Sequence, residues 1–141
     1  YNYRMTNICA AIGTAQLERI SEIIKEKDRI ISEYKKTLKN IPVEIHREVG
    51  NVKHSYWMFT VLASSEKEKN ELRSHLADNG IETRPAFHPV HTMPMYIDGN
   101  SYPVAEDLGN RGINLPSYPD LSNEDIRFIT SKIATFYNDK R

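Results

Sequence analysis

The sequence predicts an α+β fold, in which a small antiparallel or mixed sheet of about three strands is covered by helices. Apolar residues recur at steps of three and four from residue 6 to residue 38, which indicates a long N-terminal helix. An aromatic and β-branched run at residues 54–63 is typical of a buried strand. Ser65 and Ser122 are each followed three residues later by an acidic residue, a signature of helix starts. A long helix therefore leads into a small mixed domain.

Size and charge narrow the class of protein. The chain has 141 residues, enough for one domain with its own core. Its 19 basic residues balance its 19 acidic ones, so no net field favours nucleic acid or an anionic membrane as a partner. The sequence contains no apolar run long enough to span a bilayer. A single cysteine, Cys9, cannot form an internal disulfide, which suits a cytoplasmic setting.

The N-terminal helix is expected to divide in two. A straight helix over this stretch would be ~45–50 Å long, more than a small domain needs. We expect a kink near residues 20–21, where Ser21 can cap a second helix, while Thr6 or Asn7 caps the first. Residues 1–40 then form a lead-in helix that links to a missing large domain, and residues 41–141 form the small domain.

The middle of the chain predicts a compact β-α-β unit. The strand at residues 54–63 is continuous rather than alternating in polarity, so we expect it to be buried on both faces. A helix follows, opened by Ser65 and closed by Gly80 in a left-handed conformation. Residues 81–84 are the next expected strand.

The last third begins with a proline-rich loop at residues 84–103, and loops of this length inside a compact domain are usually functional or disordered. Its aromatic content favours an ordered loop. Pro103 is well placed to begin a short helix that Gly112 stops. We expect a third strand at residues 113–115. A final helix opens at the capping box of Ser122, and its buried stripe is Ile126, Ile129, Ile133 and Phe136.

Two groups of residues could bind a ligand. Arg84, His88 and His91 lie together in the proline-rich loop, where Arg offers a planar donor fork for an anionic or polyhydroxylated ligand. Surface histidines on an ordinary loop explain the same pattern equally well. Two histidines without a third ligand do not make a zinc site, so we expect no metal. Asn2 and Arg4 precede the first helix and could bind a phosphate.

The residues alone indicate no catalytic centre. No Ser-His-Asp motif and no phosphate-binding glycine loop is present in the sequence. None of the lysines considered has an apolar setting that would favour Schiff-base chemistry. These lysines lie on a charged helix or an exposed turn: Lys25, Lys35, Lys36, Lys39, Lys67 and Lys69.

Residues 1–20 (YNYRMTNICAAIGTAQLERI) resemble the signature of the DegT/DnrJ/EryC1/StrS sugar aminotransferases. Residues 80–96 and 113–126 resemble later stretches of the same family, in the same order. The resemblance spans essentially the whole chain and implies the C-terminal small domain of the aspartate-aminotransferase fold. The family's catalytic lysine lies ahead of the first motif, so the resemblance places no catalytic residue in this chain.

The resemblance also implies a chemistry. Family members are pyridoxal-phosphate enzymes that move an amino group, usually from glutamate, onto a keto sugar carried by a nucleotide diphosphate. Their active sites are composite sites of a homodimer. By this resemblance Asn2 contacts the cofactor phosphate across the dimer interface, and Arg4 lies near the partner's nucleotide-sugar site. Arg84 and His91 border the sugar-nucleotide cleft, and His88, at a position where an aromatic residue is commoner, tunes which sugar is accepted.

Two other interpretations stay open. The chain could belong to a non-catalytic regulator or sensor of the same fold, whose full-length sequence would lack the Schiff-base lysine. It could also be a free-standing module whose loop at residues 84–91 binds an unrelated anion. The three motifs in family order favour the aminotransferase.

Overall fold

The computed structural model describes residues 3–47, 49–97 and 99–140. Within these ranges the chain forms five α-helices, four β-strands and two short 3₁₀ turns. The helices are α1 (Asn7–Glu18), α2 (Ile20–Thr37), α3 (Glu66–Asp78), α4 (Pro103–Arg111) and α5 (Asn123–Asn138). The strands are β1 (Glu44–Ile45), β2 (Phe59–Leu62), β3 (Arg84–Pro85) and β4 (Gly112–Leu115), and the 3₁₀ turns are Val90–Thr92 and Pro94–Tyr96. None of the described helices is long and apolar enough to cross a membrane.

The strands form one antiparallel sheet in the order β1-β2-β4-β3. Phe59 of β2 is paired with Leu115 of β4, and Arg84 of β3 is paired with Asn114 on the other side of β4. Because β2 and β3 both run antiparallel to β4, they are parallel to each other with β4 between them. The predicted α+β class is confirmed, with four strands in place of about three. The β-α-β unit around α3 is therefore split by a strand from later in the chain.

The core lies between one face of this sheet and the helices α2, α3 and α5. Tyr34 of α2 is fully buried and stacks on Phe59, with ring centroids 4.6 Å apart. Its hydroxyl donates to the carbonyl of Pro116 at 2.8 Å, and burial raises the pKa of this phenol. The remaining buried apolar side chains with less than 2% exposure are Ile30, Val61, Leu72, Leu76, Ile113, Ile126 and Ile133, together with Phe59 and Ala63 at 1%.

The N-terminal helix divides at Arg19, one residue before the predicted break. Thr6 caps α1 as expected, because its Oγ1 accepts from the Cys9 N–H at 3.3 Å. The prediction that Ser21 caps the second helix is wrong: α2 begins at Ile20, and its N-cap residue makes no side-chain capping bond. The first fully buried residue along this pair of helices is Ile30.

The strand predicted at residues 54–63 is shorter, since β2 covers only Phe59–Leu62. Tyr56 has a φ of +47°, a left-handed conformation that a strand cannot continue through. Buried and half-buried residues alternate along β2, so one face lies outside the core, in contrast to the expected burial on both faces. The strand predicted at residues 81–84 is correspondingly displaced to Arg84–Pro85.

Helix ends follow the sequence signals closely. Ser65 Oγ accepts from the Glu68 N–H at 3.2 Å. The Glu68 carboxylate in turn accepts from the N–H of Ser64 rather than from that of Ser65. Gly80 closes α3 with a φ of +75°, a conformation that favours glycine. Ser122 and Asp125 form the complete capping box on α5, and the predicted stripe of that helix is buried.

The proline-rich loop leads through its two 3₁₀ turns into α4, which begins at Pro103 as predicted. At the other end of α4, Arg111 pairs with Asp107 at 2.7 Å and with Glu44 of β1 at 2.9 Å. It also donates to the carbonyl of Ala63 at 2.8 Å. Its hydrogen bonds to these carboxylates raise the pKa of the guanidinium. Arg111 thus ties α4 to both β1 and the end of β2.

Candidate functional site

A cavity of about 930 Å³ opens among the described residues. We call it the large cavity. Its walls are the start of α2, the segment before β2, the turn after α3 and the loop between β4 and α5. Its cationic lining is Lys27 and Arg84, its aromatic lining is Trp57, Tyr118 and Phe128, and its acidic lining is Glu82 and Asp125. A cavity of this size, mostly apolar with a few charged groups, is typical of small-molecule binding sites.

Lys27 links three walls of the large cavity. Its Nζ donates to the carbonyl of Trp57 at 3.0 Å, and it also donates to the carbonyl of Ser117. The Ser117 hydroxyl lies 3.5 Å from the same nitrogen. Burial lowers the pKa of Lys27, since desolvation disfavours the ammonium form. The ammonium therefore acts as a clamp that holds the Trp57 segment and the β4–α5 loop against α2.

Lys27 is not among the predicted site residues, although its position in the sequence carries a signal. Ile23 and Ile31 lie four residues before and after it, so Lys27 occupies a position where the helical period predicts an apolar residue. The same holds for Lys69, which shares a helical face with Leu72 and Leu76. The expectation that Lys69 lies on an exposed turn is wrong, because it lies within α3 and is only 6% exposed. A lysine inside an apolar stripe thus indicates an ammonium that is at least partly buried.

Arg84 lies in β3, opposite Asn114 of β4, and lines the large cavity. Its side chain is 79% exposed, and its Nη2 lies 3.5 Å from Glu82 Oε1. The pairing of β3 at the sheet edge holds the backbone of Arg84, while the guanidinium extends toward solvent. A group in this setting can meet an incoming anion without first losing a buried partner.

His91 is placed differently from Arg84. Its Nε2 lies 3.0 Å from Glu106 Oε1, and its ring packs on Tyr102 with centroids 4.6 Å apart. The pKa of Glu106 is lowered by the Tyr102 N–H, which donates to the carboxylate at 2.8 Å, and then by His91. His91 therefore anchors the proline-rich loop to the first turn of α4.

The described structure does not gather all the predicted residues into one cavity. Arg84 lines the large cavity, whereas neither His88 nor His91 lines it. His88 is exposed, between Phe87 and Pro89. Arg4 is exposed just ahead of the Thr6 cap of α1. Asn2 lies outside the described residues, so its predicted contact with a cofactor phosphate stays a prediction.

A second cavity of about 240 Å³ adjoins the large one, and we call it the side pocket. Trp57, Met58 and Asn114 line both cavities. The floor of the side pocket is the face of the sheet that points away from the core, where Thr60 Oγ1 donates to Asn114 Oδ1 at 2.6 Å. Asn114 also donates to the carbonyl of Pro85 at 3.1 Å. Both polar side chains are thereby fixed in orientation.

Aromatic rings form the walls of the side pocket. Trp57 and Phe87 are stacked, with centroids 5.9 Å apart and planes 20° from parallel. They nevertheless remain 69% and 68% exposed. On the other side His46 and His54 are 4.3 Å apart. The strand predicted at residues 54–63 includes Trp57, and no local pattern in the sequence indicates that its indole is exposed.

The chain is similar to known proteins over nearly its whole length. The model of the DegT/DnrJ/EryC1/StrS aminotransferase family matches residues 1–134. GDP-perosamine synthase from Escherichia coli O157:H7 is 55% identical over 141 residues, which are 99% of this chain and 38% of that protein. GDP-perosamine synthase from Vibrio cholerae is 42% identical over 143 residues, covering 98% of this chain and 39% of that protein. The chain thus spans less than half the length of these relatives.

Solved structures agree on the fold. The aminotransferase TlmJ from Streptoalloteichus hindustanus superimposes with a TM-score of 0.86 at 21% identity, covering 95% of this chain and 37% of that one. PseC from Helicobacter pylori, an aminotransferase involved in the biosynthesis of pseudoaminic acid, gives a TM-score of 0.86 at 19% identity. It covers 99% of this chain and 39% of PseC. At these identities the likeness supports the fold alone.

Proposed function

Because the chain belongs to the DegT/DnrJ/EryC1/StrS aminotransferase family, we propose that it is the C-terminal part of a nucleotide-sugar aminotransferase. The full-length enzyme transfers an amino group, with glutamate as donor, to a keto sugar linked to a nucleotide diphosphate. The observation that carries this proposal is the 55% identity to GDP-perosamine synthase over 99% of the chain. We accordingly propose a GDP-linked keto sugar as the acceptor.

The lining of the large cavity supports this proposal, because it can bind an anionic substrate. Arg84 lines it with an exposed guanidinium, which can donate two parallel hydrogen bonds to a phosphate. Lys27 is half-buried and already donates to two carbonyls, so its role in this proposal is to hold the cavity walls. In the full-length enzyme we place the diphosphate on the Arg84 side. His91 keeps the adjoining loop on α4, and the exposed His88 adjusts the choice of sugar.

The cofactor of this family is pyridoxal phosphate, which supplies the electron sink for amino-group transfer when bound. The described residues do not form a complete site for it. The best-placed lysine at the large cavity, Lys27, is committed to the carbonyls of Trp57 and Ser117. We therefore propose that other parts of the full-length homodimer hold the cofactor, that Asn2 reaches its phosphate across the dimer interface, and that Arg4 lies near the partner's substrate.

The direct test is amino transfer by the full-length protein. Purified protein loaded with pyridoxal phosphate is incubated with glutamate and a GDP-linked keto sugar, and the amino sugar and 2-oxoglutarate are followed by mass spectrometry. We expect both products in equal amounts. A protein that binds the nucleotide sugar but transfers no amino group would support the regulator of the same fold instead.

Arg84→Ala tests the assignment of the cavity within that assay. Loss of the guanidinium should raise KM for the nucleotide sugar more than it lowers kcat, because the group binds an anion and does not touch the reacting carbon. Arg47→Ala is the matched control, since Arg47 is exposed and lies outside both cavities. Equal kinetics in the two variants would remove Arg84 from the substrate site.

A further inference from the structure

We propose that the side pocket receives the nucleobase of the nucleotide-linked substrate, with the base stacked on the Trp57–Phe87 pair. This inference rests on the proposed function, because it assigns the base of that substrate to a place on this chain. The two cavities meet at Trp57, Met58 and Asn114, so one ligand can extend from the large cavity into the side pocket. A nucleotide sugar has this bipartite form, with an aromatic base at one end and an anionic linker beside it.

The backbone around Trp57 supports a functional role. Tyr56 has a φ of +47°, which is strained for a bulky residue and persists only where surrounding contacts enforce it. Its N–H donates to His54 Nδ1 at 2.8 Å, and Lys35 Nζ donates to its hydroxyl at 2.9 Å. On the other side the Trp57 carbonyl accepts from Lys27. The main chain is thus fixed before and after the indole.

The indole itself has a different environment from the backbone that holds it. Tyr56 is only 4% exposed, whereas the adjacent Trp57 is 69% exposed. A tryptophan that is merely exposed to solvent does not require a backbone held by several contacts. Strained residues that are held by several contacts are typical of ligand-binding positions. We therefore take Trp57 to be positioned in advance for a planar partner.

The size and chemistry of the side pocket fit one ring system. Its volume of about 240 Å³ is below the range of roughly 300–1,000 Å³ typical of pockets that enclose a whole drug-sized ligand. Exposed aromatic faces bind nucleobases by stacking, which tolerates any base because each has a π-face. The polar groups on the floor, Thr60 and Asn114, bond to one another and so do not require a buried partner from the ligand. Stacking rather than hydrogen bonding is the expected source of affinity.

The test uses calorimetric binding of GDP and of inorganic pyrophosphate to the full-length protein. Pyrophosphate carries the charge of the linker without a base. In Trp57→Leu and in Phe87→Leu, GDP should bind roughly 5- to 150-fold more weakly, the range expected for the loss of one stacked base. Pyrophosphate affinity should remain as in the unsubstituted protein. Trp57→Phe keeps an aromatic face and should recover most of the GDP affinity.

Tyr96→Leu is the matched control, because Tyr96 is 58% exposed but lines neither cavity. It should leave both affinities unchanged. Melting temperatures of all variants, measured without ligand, show whether they fold.

Three results would overturn the inference. Unchanged GDP binding in Trp57→Leu, in a protein that still transfers amino groups, would place the base elsewhere while leaving the proposed function intact. An equal loss of GDP and pyrophosphate binding would show that Trp57 acts only through the fold. A lowered melting temperature with unchanged GDP affinity would show that the indole stabilises the folded protein and does not bind the base. Failure of the unsubstituted protein both to bind GDP and to transfer amino groups would instead refute the proposed function, and the inference with it.

Discussion

The helices α1 and α5 have similar sequence signals and very different surroundings. Both begin at a hydroxyl cap, Thr6 for α1 and Ser122 for α5, and both have recurring apolar residues. α5 buries its apolar stripe against α2 and α3, whereas α1 buries no residue at all. Apolar residues of α1 and the segment before it remain exposed: Tyr3, Met5, Ile8, Ile12 and Leu17. Helical periodicity thus predicts that a helix forms without identifying what it packs against.

The largest expected effect tests this contrast directly. Ile133→Ala in α5 removes a fully buried side chain and should lower the free energy of unfolding by ~2–5 kcal/mol. Ile12→Ala in α1 removes a side chain that is 60% exposed and should change it by no more than about 0.5 kcal/mol. Urea denaturation of the two variants provides the comparison. Similar losses in both would show that α1 is packed in solution, against a second copy or another surface.

Lys27→Met tests the boundary between the exposed α1 and the buried part of α2. Lys27 lies after α1 and just before the buried Ile30. Methionine keeps the apolar stem but leaves the carbonyls of Trp57 and Ser117 without this donor. We expect a loss of ~1.5–3 kcal/mol in the free energy of unfolding, the range of hydrogen bonds made by charged groups. Lys25→Met, at an exposed position of the same helix, should be close to neutral. If Lys25→Met cost as much, the effect would be due to loss of charge rather than of the clamp.

Substitutions at the two helix caps are expected to change stability by smaller amounts. Ser122→Ala removes the capping box of α5 and should destabilise the fold by ~1 kcal/mol. Thr6→Ala removes the equivalent cap of α1 and should leave global unfolding unchanged, since α1 can fray without exposing the core. Hydrogen exchange at the Cys9 amide, which donates to Thr6 Oγ1, should nevertheless become faster. Slower or unaltered exchange there would contradict the assigned cap.

The smallest effect concerns α4 and depends on pH. The pKa of Glu106 is lowered from its ordinary value of 4.5, first by the Tyr102 N–H and then by His91. A carboxyl whose folded-state pKa is depressed stabilises the fold above its unfolded-state pKa, and this contribution is lost as the pH falls through the folded-state value. Glu106→Gln should therefore lower the melting temperature slightly at pH 7, and the difference should shrink below about pH 4.5. A difference that is constant with pH would indicate a packing effect instead.

Much of the fold follows from local signals. The starts at Thr6, Ser65 and Ser122, the glycine closure at Gly80 and the start of α4 at Pro103 were all predictable. Each depends on hydrogen bonds or dihedral angles within a few residues of the signal. The break at Arg19 was predicted to within one residue, but the cap at Ser21 was not formed, because α2 begins before it.

The candidate site was less accessible from the sequence. Arg84 was predicted as a ligand-binding residue and lines the large cavity, but the histidines of the same loop do not. The partner of His91 is Glu106, fifteen residues later, and spacing does not reveal that the chain turns back there. Trp57 was assigned to a strand because its neighbours are β-formers. The left-handed conformation of Tyr56, which keeps this strand from starting before Phe59, is held by tertiary contacts, from Lys35 on α2 among others.

Four properties were predictable from the sequence alone: the α+β class, most of the helix starts, the buried stripe of α5 and the family to which the motifs belong. These properties depend on short-range hydrogen bonding, on the 3.6-residue period and on the order of residues along the chain. Three features are visible only in the folded structure: the insertion of β4 between β2 and β3, the clamp at Lys27 and the exposure of Trp57 beside two joined cavities. Those features depend on contacts between residues that are far apart in the sequence, such as Lys27 and Ser117, which are 90 residues apart. No local sequence pattern predicts such contacts.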